Sequence, residues 1–202
     1  MAVEKNRNAS VQLSLGTFSF AVCFAVWGLI SSFAPRFREA LHLTATQTAF
    51  LVAVPVILGA LARIPMGMLT DLYGGRAVFT VLMIATAIPP VWASYTSSYS
   101  ALIAAAFCLG LAGSSFAVGV GFVSRWYPPQ KQGTALGIYG LGNIGQSAVV
   151  FFGPVLAARL GWQVVFRDMS VLLVGWALAF FLFSRNSPNV PRPKALDEML
   201  GV

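Results

Sequence analysis

Apolar residues gather along the chain into long runs separated by short polar stretches, and each run is near the roughly 20 residues that a helix needs to cross bilayer hydrocarbon. The runs cover about 13–34, 48–70, 77–95, 99–124, 133–157 and 164–183. A helix satisfies its backbone polar groups within its own segment, as lipid demands, whereas a membrane barrel would show short alternating segments, and none appear. The pattern predicts an all-α membrane protein with six transmembrane helices forming one bundle over 13–184. Polar tails are expected over 1–12 and 185–202.

Composition agrees. Hydrophobic residues make up 57% of the 202 positions and charged residues only 9%, with mean hydropathy +0.77, against about a quarter charged in soluble domains. Of the 13 Lys and Arg, Lys5, Arg7, Arg76, Arg125, Lys131, Arg185, Arg192 and Lys194 fall on the side shared by both ends, and Arg36, Arg38, Arg159 and Arg167 on the other, leaving Arg63 aside. Cationic loops are retained in the cytoplasm, so both termini are expected there, in a multi-pass protein of the cell inner (plasma) membrane. The net charge of +7 is then a topology signal. A nucleic-acid partner is not expected, because the basic residues are spread over separate loops. The first run is longer than the apolar core of a signal peptide and is read as a retained span.

No catalytic constellation is visible. The acids Glu4, Glu39, Asp71, Asp168, Asp197 and Glu198 lie at span ends, in loops or in tails, so no carboxylate pair shares a buried face. His42 is the single histidine, in an outer loop, and no metal cluster can be assembled around it. Cys23 and Cys108 lie inside spans, where small packing residues are the reading of choice. Neither an enzyme nor a cofactor is expected.

Arg63, within GALARIPMGMLTD, sits roughly two turns inside the second span. An arginine at mid-span costs at least about 2.5–3.5 kcal/mol, so it faces a wet cavity or a partner. Its guanidinium offers permanent charge and a fork of donors matched to planar oxyanions. The alternative is a side chain that snorkels to the interface. The fifth span opens GTALGIYGLGNIGQS, with Gly133, Gly137, Gly140, Gly142 and Gly145 around one Asn143. Glycines at three- and four-residue spacing clear a helix face for another backbone, and the Asn143 amide within that face can donate to an anion. The fourth span has its own series at Gly110, Gly113, Gly119 and Gly121, so these two helices are expected to pack face to face. Phe116, between those glycines, reads on its own as a packing residue.

The string Gly67, Met68, Leu69, Thr70, Asp71, Leu72, Tyr73, Gly74, Gly75, Arg76 resembles the signature loop between the second and third helices of the major facilitator superfamily. Gly67 is expected to allow close helix approach. The resemblance implies an interdomain charge latch at the cytoplasmic gate for Asp71 and Arg76, with Gly74 in the turn. The pattern Gly137, Gly140, Gly142, Asn143, Gly145, the arginine in RIPMGMLTDLYGGR, the loop SRWYPPQKQGTALG and GWQVVF are together similar to the nitrate/nitrite porter family of that superfamily. The resemblance runs from about residue 18 to 202 and implies one major-facilitator-type bundle. It also implies that Arg63 contacts the substrate anion, that Asn143, Gly140 and Gly142 line the central passage, and that Phe116 stacks near the substrate plane.

Members of that family have about twelve helices in two related bundles, with a second membrane arginine. Residues 185–202 resemble the start of the loop between the halves. The chain is therefore expected to act with a second six-helix half or a second copy of itself, as a fragment, a split-gene product or a half-size protein. The function expected is transport of nitrate and nitrite by alternating access, as an antiporter or by proton-coupled uptake in nitrate assimilation. The alternatives are a carrier of another small anion or organic acid, and a membrane scaffold subunit that transports nothing.

Overall fold

The computed structural model describes residues 2–188, with side chains from residue 8 onward. Six helices among them are long and apolar enough to span a membrane: α1 (Asn8–Ala40), α2 (Ala45–Tyr73), α3 (Gly75–Tyr95), α4 (Tyr99–Ser124), α5 (Pro129–Leu160) and α6 (Trp162–Phe183). They match the six apolar runs one for one, and no strand occurs among the described residues. The helices outrun the apolar stretches because helical backbone continues into polar segments. The expected polar tail over 1–12 is one such case: helix begins at Ala2, and Gln12 is buried, its Oε1 accepting from the backbone N–H of Arg185 at 2.9 Å. Most of the expected second tail, including Arg192 and Lys194, lies outside the described residues, as do the side chains of Lys5 and Arg7.

Local chemistry fixes the short connections. α1 ends in a Schellman turn, with the N–H of Leu43 bonded to the carbonyl of Arg38 at 3.0 Å. His42 there takes the left-handed conformation that glycine usually fills, φ 51°. α2 opens on a capping box: Thr44 Oγ1 accepts from the N–H of Gln47, and Gln47 Oε1 accepts from the N–H of Thr44. Gly74 and Gly161, at φ 84° and 85°, make the sharp turns α2–α3 and α5–α6.

The helices associate as three close pairs, α1 with α5, α2 with α4 and α3 with α6. Glycine dictates two of them. A methyl on Gly59 of α2 would come within 2.9 Å of the Gly110 carbonyl oxygen, and one on Gly113 within 3.3 Å of Gly59 Cα. On α5, Gly142 and Gly145 meet Phe20 and the backbone of Ala21 in α1. The expected face-to-face packing of α4 and α5 is thus corrected: the glycines of α4 serve mainly α2, those of α5 serve α1, and only Gly119 receives α5, through Tyr139. Short 3-10 turns at Gly110–Ser114 and Leu141–Asn143 fall at these close approaches.

α3 and α6 form the rear of the bundle and are pinned at both ends. Arg76 donates from Nε and Nη2 to the carbonyl of Phe181, at 2.9 and 2.7 Å, and stacks over its ring. Arg167 donates from Nη1 to the Tyr95 hydroxyl at 3.3 Å. Between them Phe79 meets Phe180 edge-on, and Trp176 donates to Ser19 Oγ at 2.8 Å, joining α6 to α1.

Candidate functional site

On the opposite side, α2 and α5 stand apart with α4 and α1 between them. Each buries only 28% of its most apolar stretch, against 61% for α1 and for α3, while α6 at the rear buries 33%. This front face carries the arginine. In α2, Gly59 and Thr70 lie against α4, at Gly113 and Gly121, while Met66, Leu69 and Tyr73 turn toward α3. At 100° per residue Arg63 follows on the flank beyond α4, away from α3. It is exposed and has no hydrogen-bond or ion-pair partner among the described residues. Ten residues, about 15 Å along the axis, separate it from the helix end at Tyr73, and it stands only four residues, about 6 Å, past the midpoint of this 29-residue helix, in the middle third of the span.

The same contacts set the height of the other residues. Because Gly59 meets Gly113 and Thr70 meets Gly121, Arg63 is level with the stretch of α4 that holds Phe116. Phe116 is 39% exposed and leans on Phe20 of α1 and Tyr139 of α5, with ring centroids 5.6 and 6.1 Å away. Tyr139 is fully buried and donates its hydroxyl to the Ser115 carbonyl at 2.9 Å, which ties α5 to α4 at this level. Gly140 follows immediately, facing open space. Asn143 is exposed one turn further, its Nδ2 donating to the Gly140 carbonyl at 3.1 Å. That bond uses one of two amide protons, so a donor and the side-chain carbonyl remain free. Arg63, Phe116 and Gly140 therefore lie near one level of the front face, with Asn143 about one helical turn away along α5. Gly142 does not line that face: it is buried against Phe20.

This arrangement offers a cation and a neutral amide donor on two flanks and an aromatic surface between them. A small planar anion is the solute such a layer can bind, with bidentate bonds from the guanidinium and apolar contact from the ring. Phe20 and Tyr139, which support Phe116 from behind, were not singled out in the sequence. Tyr139 carried a readable signal, since it stands inside GIYGLGN beside the glycine-framed asparagine.

The loop residues divide differently from expectation. Asp71 Oδ1 accepts from Arg125 Nη2 at 2.7 Å, an ion pair between the ends of α2 and α4. Arg76 holds the end of α6, with its backbone N–H also donating to Asn186 Oδ1 at 3.0 Å. Both side chains thus bond within their own bundle. Gly67 was expected to admit a neighbouring helix, but nothing lies within 4 Å of the place a methyl would occupy. It sits one turn beyond Arg63 on the same open flank.

The model of the Major Facilitator Superfamily matches residues 16–200. The "Nitrite extrusion protein" of Bacillus subtilis is 40% identical over 173 residues, covering 86% of this chain and 44% of that protein. The "Probable nitrate transporter NarT" of Staphylococcus aureus is 37% identical over 172 residues, covering 85% and 44%. The chain thus spans under half the length of these curated relatives. Among solved structures, an inward-facing bacterial homologue of the human lysosomal transporter Spinster superposes with TM-score 0.77 at 19% identity, covering 96% of this chain and 47% of that one. The xylose transporter XylE from E. coli superposes with TM-score 0.67 at 16% identity, covering 88% and 47%. At those identities the likeness speaks for the fold alone. Six spans in this arrangement, together with a family match over nearly the whole length, establish that the chain is a multi-pass membrane protein belonging to the Major Facilitator Superfamily.

Proposed function

We propose that this chain supplies one bundle of a nitrate/nitrite porter, binding the anion at Arg63, Phe116, Gly140 and Asn143 and moving it by alternating access. The observation that carries the reading is an unpartnered guanidinium at mid-depth, level with an exposed ring and near a free amide proton on one face. An exposed arginine at this depth is too costly to face lipid, so the front face calls for a cover that leaves a wet gap. A second six-helix bundle, from a homologous half or a second copy, is the cover suited to it, and rocking of two bundles would expose the gap to each side in turn. The relatives named for nitrite extrusion and nitrate transport support the choice of substrate. The arginine distribution supports cytoplasmic termini in an inner or plasma membrane. Asp71 and Arg125, with Arg76 nearby, brace the cytoplasmic ends of their helices, and a latch to the second bundle would build on that frame. The family and the front-face geometry support a carrier and no enzymatic step.

Labelled nitrate uptake into vesicles, from this polypeptide alone and with a second bundle, tests the proposal. Arg63→Lys should lower uptake about tenfold or more, the effect of losing one charge-assisted bond of about 1.5–3 kcal/mol. Nitrite should compete, and formate and sulfate should not. Uptake that Arg63→Lys leaves intact would refute the binding role.

A further inference from the structure

The rear of the bundle holds a second feature, unrelated to the front layer. Between α3 and α6 runs an open groove of about 760 Å³, lined by Ile84, Ile88, Val91, Trp92, Val171 and Val174 among others, with Gly175 and Leu178 at its inner end. Gly175 keeps it open, since nothing lies within 4 Å of the place a methyl would occupy there. The same helix stripes lead to two residues at the groove mouth. Tyr95 continues Ile88, Val91 and Trp92 on α3, and Arg167 precedes Val171, Val174 and Leu178 on α6. Tyr95 is 71% exposed. The Arg167 guanidinium lies 5.3 Å from its ring centroid, with Nε donating to the Gln163 carbonyl and Nη1 to the Tyr95 hydroxyl. Three of the five guanidinium protons stay uncommitted. Asp168, the next residue, is exposed and has no partner among the described residues.

Length and charge identify the occupant. The lined stretch from Ser170 to Leu178 runs about 12 Å at 1.5 Å per residue, and Arg167 at its mouth brings the length to about 16.5 Å, close to the 15 Å or so of one leaflet's hydrocarbon. Its apolar walls suit an acyl chain, and its mouth presents a cation and an anion side by side at the interface, framed by Trp92 and Tyr95. A phosphate that bonds Arg167 and an ammonium that bonds Asp168 satisfy both. A purely anionic headgroup would satisfy the first and be repelled by the second. The geometry points to a binding site for a phosphatidylethanolamine, acyl chain between α3 and α6 and headgroup on Arg167 and Asp168, in the leaflet opposite the Arg76 end.

Native mass spectrometry of the purified chain, from membranes or nanodiscs holding equal amounts of dioleoyl phosphatidylethanolamine and phosphatidylglycerol, tests this. The parent should retain phosphatidylethanolamine over phosphatidylglycerol by roughly two- to five-fold, as expected of one exposed ion pair. Asp168→Asn should bring that ratio to one or below, and Arg167→Gln should release both lipids. Gly175→Leu, which fills the groove and leaves every charge in place, should also release both. A photoreactive acyl chain should label Ile88 or Val174. Equal retention of the two lipids by the parent, an unchanged ratio in Asp168→Asn, or labelling confined to other helices would overturn the proposal. None of these readouts depends on transport.

Discussion

Gly145→Ala should loosen the bundle, and Gly137→Ala, two turns away in the same glycine-rich stretch of α5, should not. At Gly145 the added methyl carbon would stand 2.6 Å from the carbonyl carbon of Ala21 and 2.9 Å from its Cα, where ordinary contact is 3.4–4 Å. The obstacle is the backbone of α1, which no rotamer change can move aside, so the two helices must part by roughly 1 Å, enough to forfeit a quarter to a half of each dispersion contact. The parting spreads to neighbours on the same seam, Phe20 over Gly142 and Val149 over Gly28. Overpacking of this kind costs about 1–3 kcal/mol, and a rigid obstacle belongs at the upper end. At Gly137 nothing lies within 4 Å, and alanine gains up to about 1 kcal/mol of helix propensity.

Thermal unfolding of both variants in one detergent, followed by tryptophan fluorescence, separates the cases. A chain of this size shifts by about 2–4 °C per kcal/mol, so Gly145→Ala should lose roughly 5–12 °C and Gly137→Ala should hold or rise. Equal losses, or the reverse order, would show that α5 does not press on α1 through Gly145, and the pairing of helices given above would fall with it.

Two further substitutions probe the frame. His42→Gly should raise stability by about 1 kcal/mol, because φ 51° costs an L side chain and costs glycine nothing; the same melting experiment reads it, and a loss would mean that the side chain has a role the turn does not explain. Arg76→Lys keeps the charge but gives up the forked bond to the Phe181 carbonyl and the stacking on its ring, so a loss of about 0.5–1 kcal/mol is expected, read as earlier amide exchange at the end of α6.

The spans were legible because lipid leaves the backbone a single economical answer, and run length reports it directly. Helix ends were less so: Thr44 and Gln47 form a capping box that begins α2 before its apolar run, and polarity alone placed them in a loop. Glycine spacing announced cleared faces on α4 and α5 but could not say which helix each would receive, because a stripe encodes depth and not the identity of its neighbour. Asp71 found its partner in Arg125, 54 residues on, a separation at which any loop arginine was an equal candidate. Arg63 and Asn143 were legible as polar groups in apolar surroundings. Their relative height required the contacts Gly59–Gly113, Thr70–Gly121 and Tyr139–Gly119, which no single helix contains.

The two sides of the bundle differ in the fate of their arginines, and that difference bears on how a carrier can move. At the rear, Arg76 and Arg167 each bond across from one helix to the other at opposite ends of the α3–α6 pair, with aromatic contacts between. Sliding those helices would break charge-assisted bonds at both ends together, so the pair resists internal shear. At the front, Arg63 bonds to no described residue of its own bundle, so nothing within the bundle must break when its surroundings change from wet to occupied. On the porter reading proposed above, coupling of solute binding to motion would fall to the contact between bundles, where the desolvation of one guanidinium would favour closure over an anion and oppose closure over an empty gap.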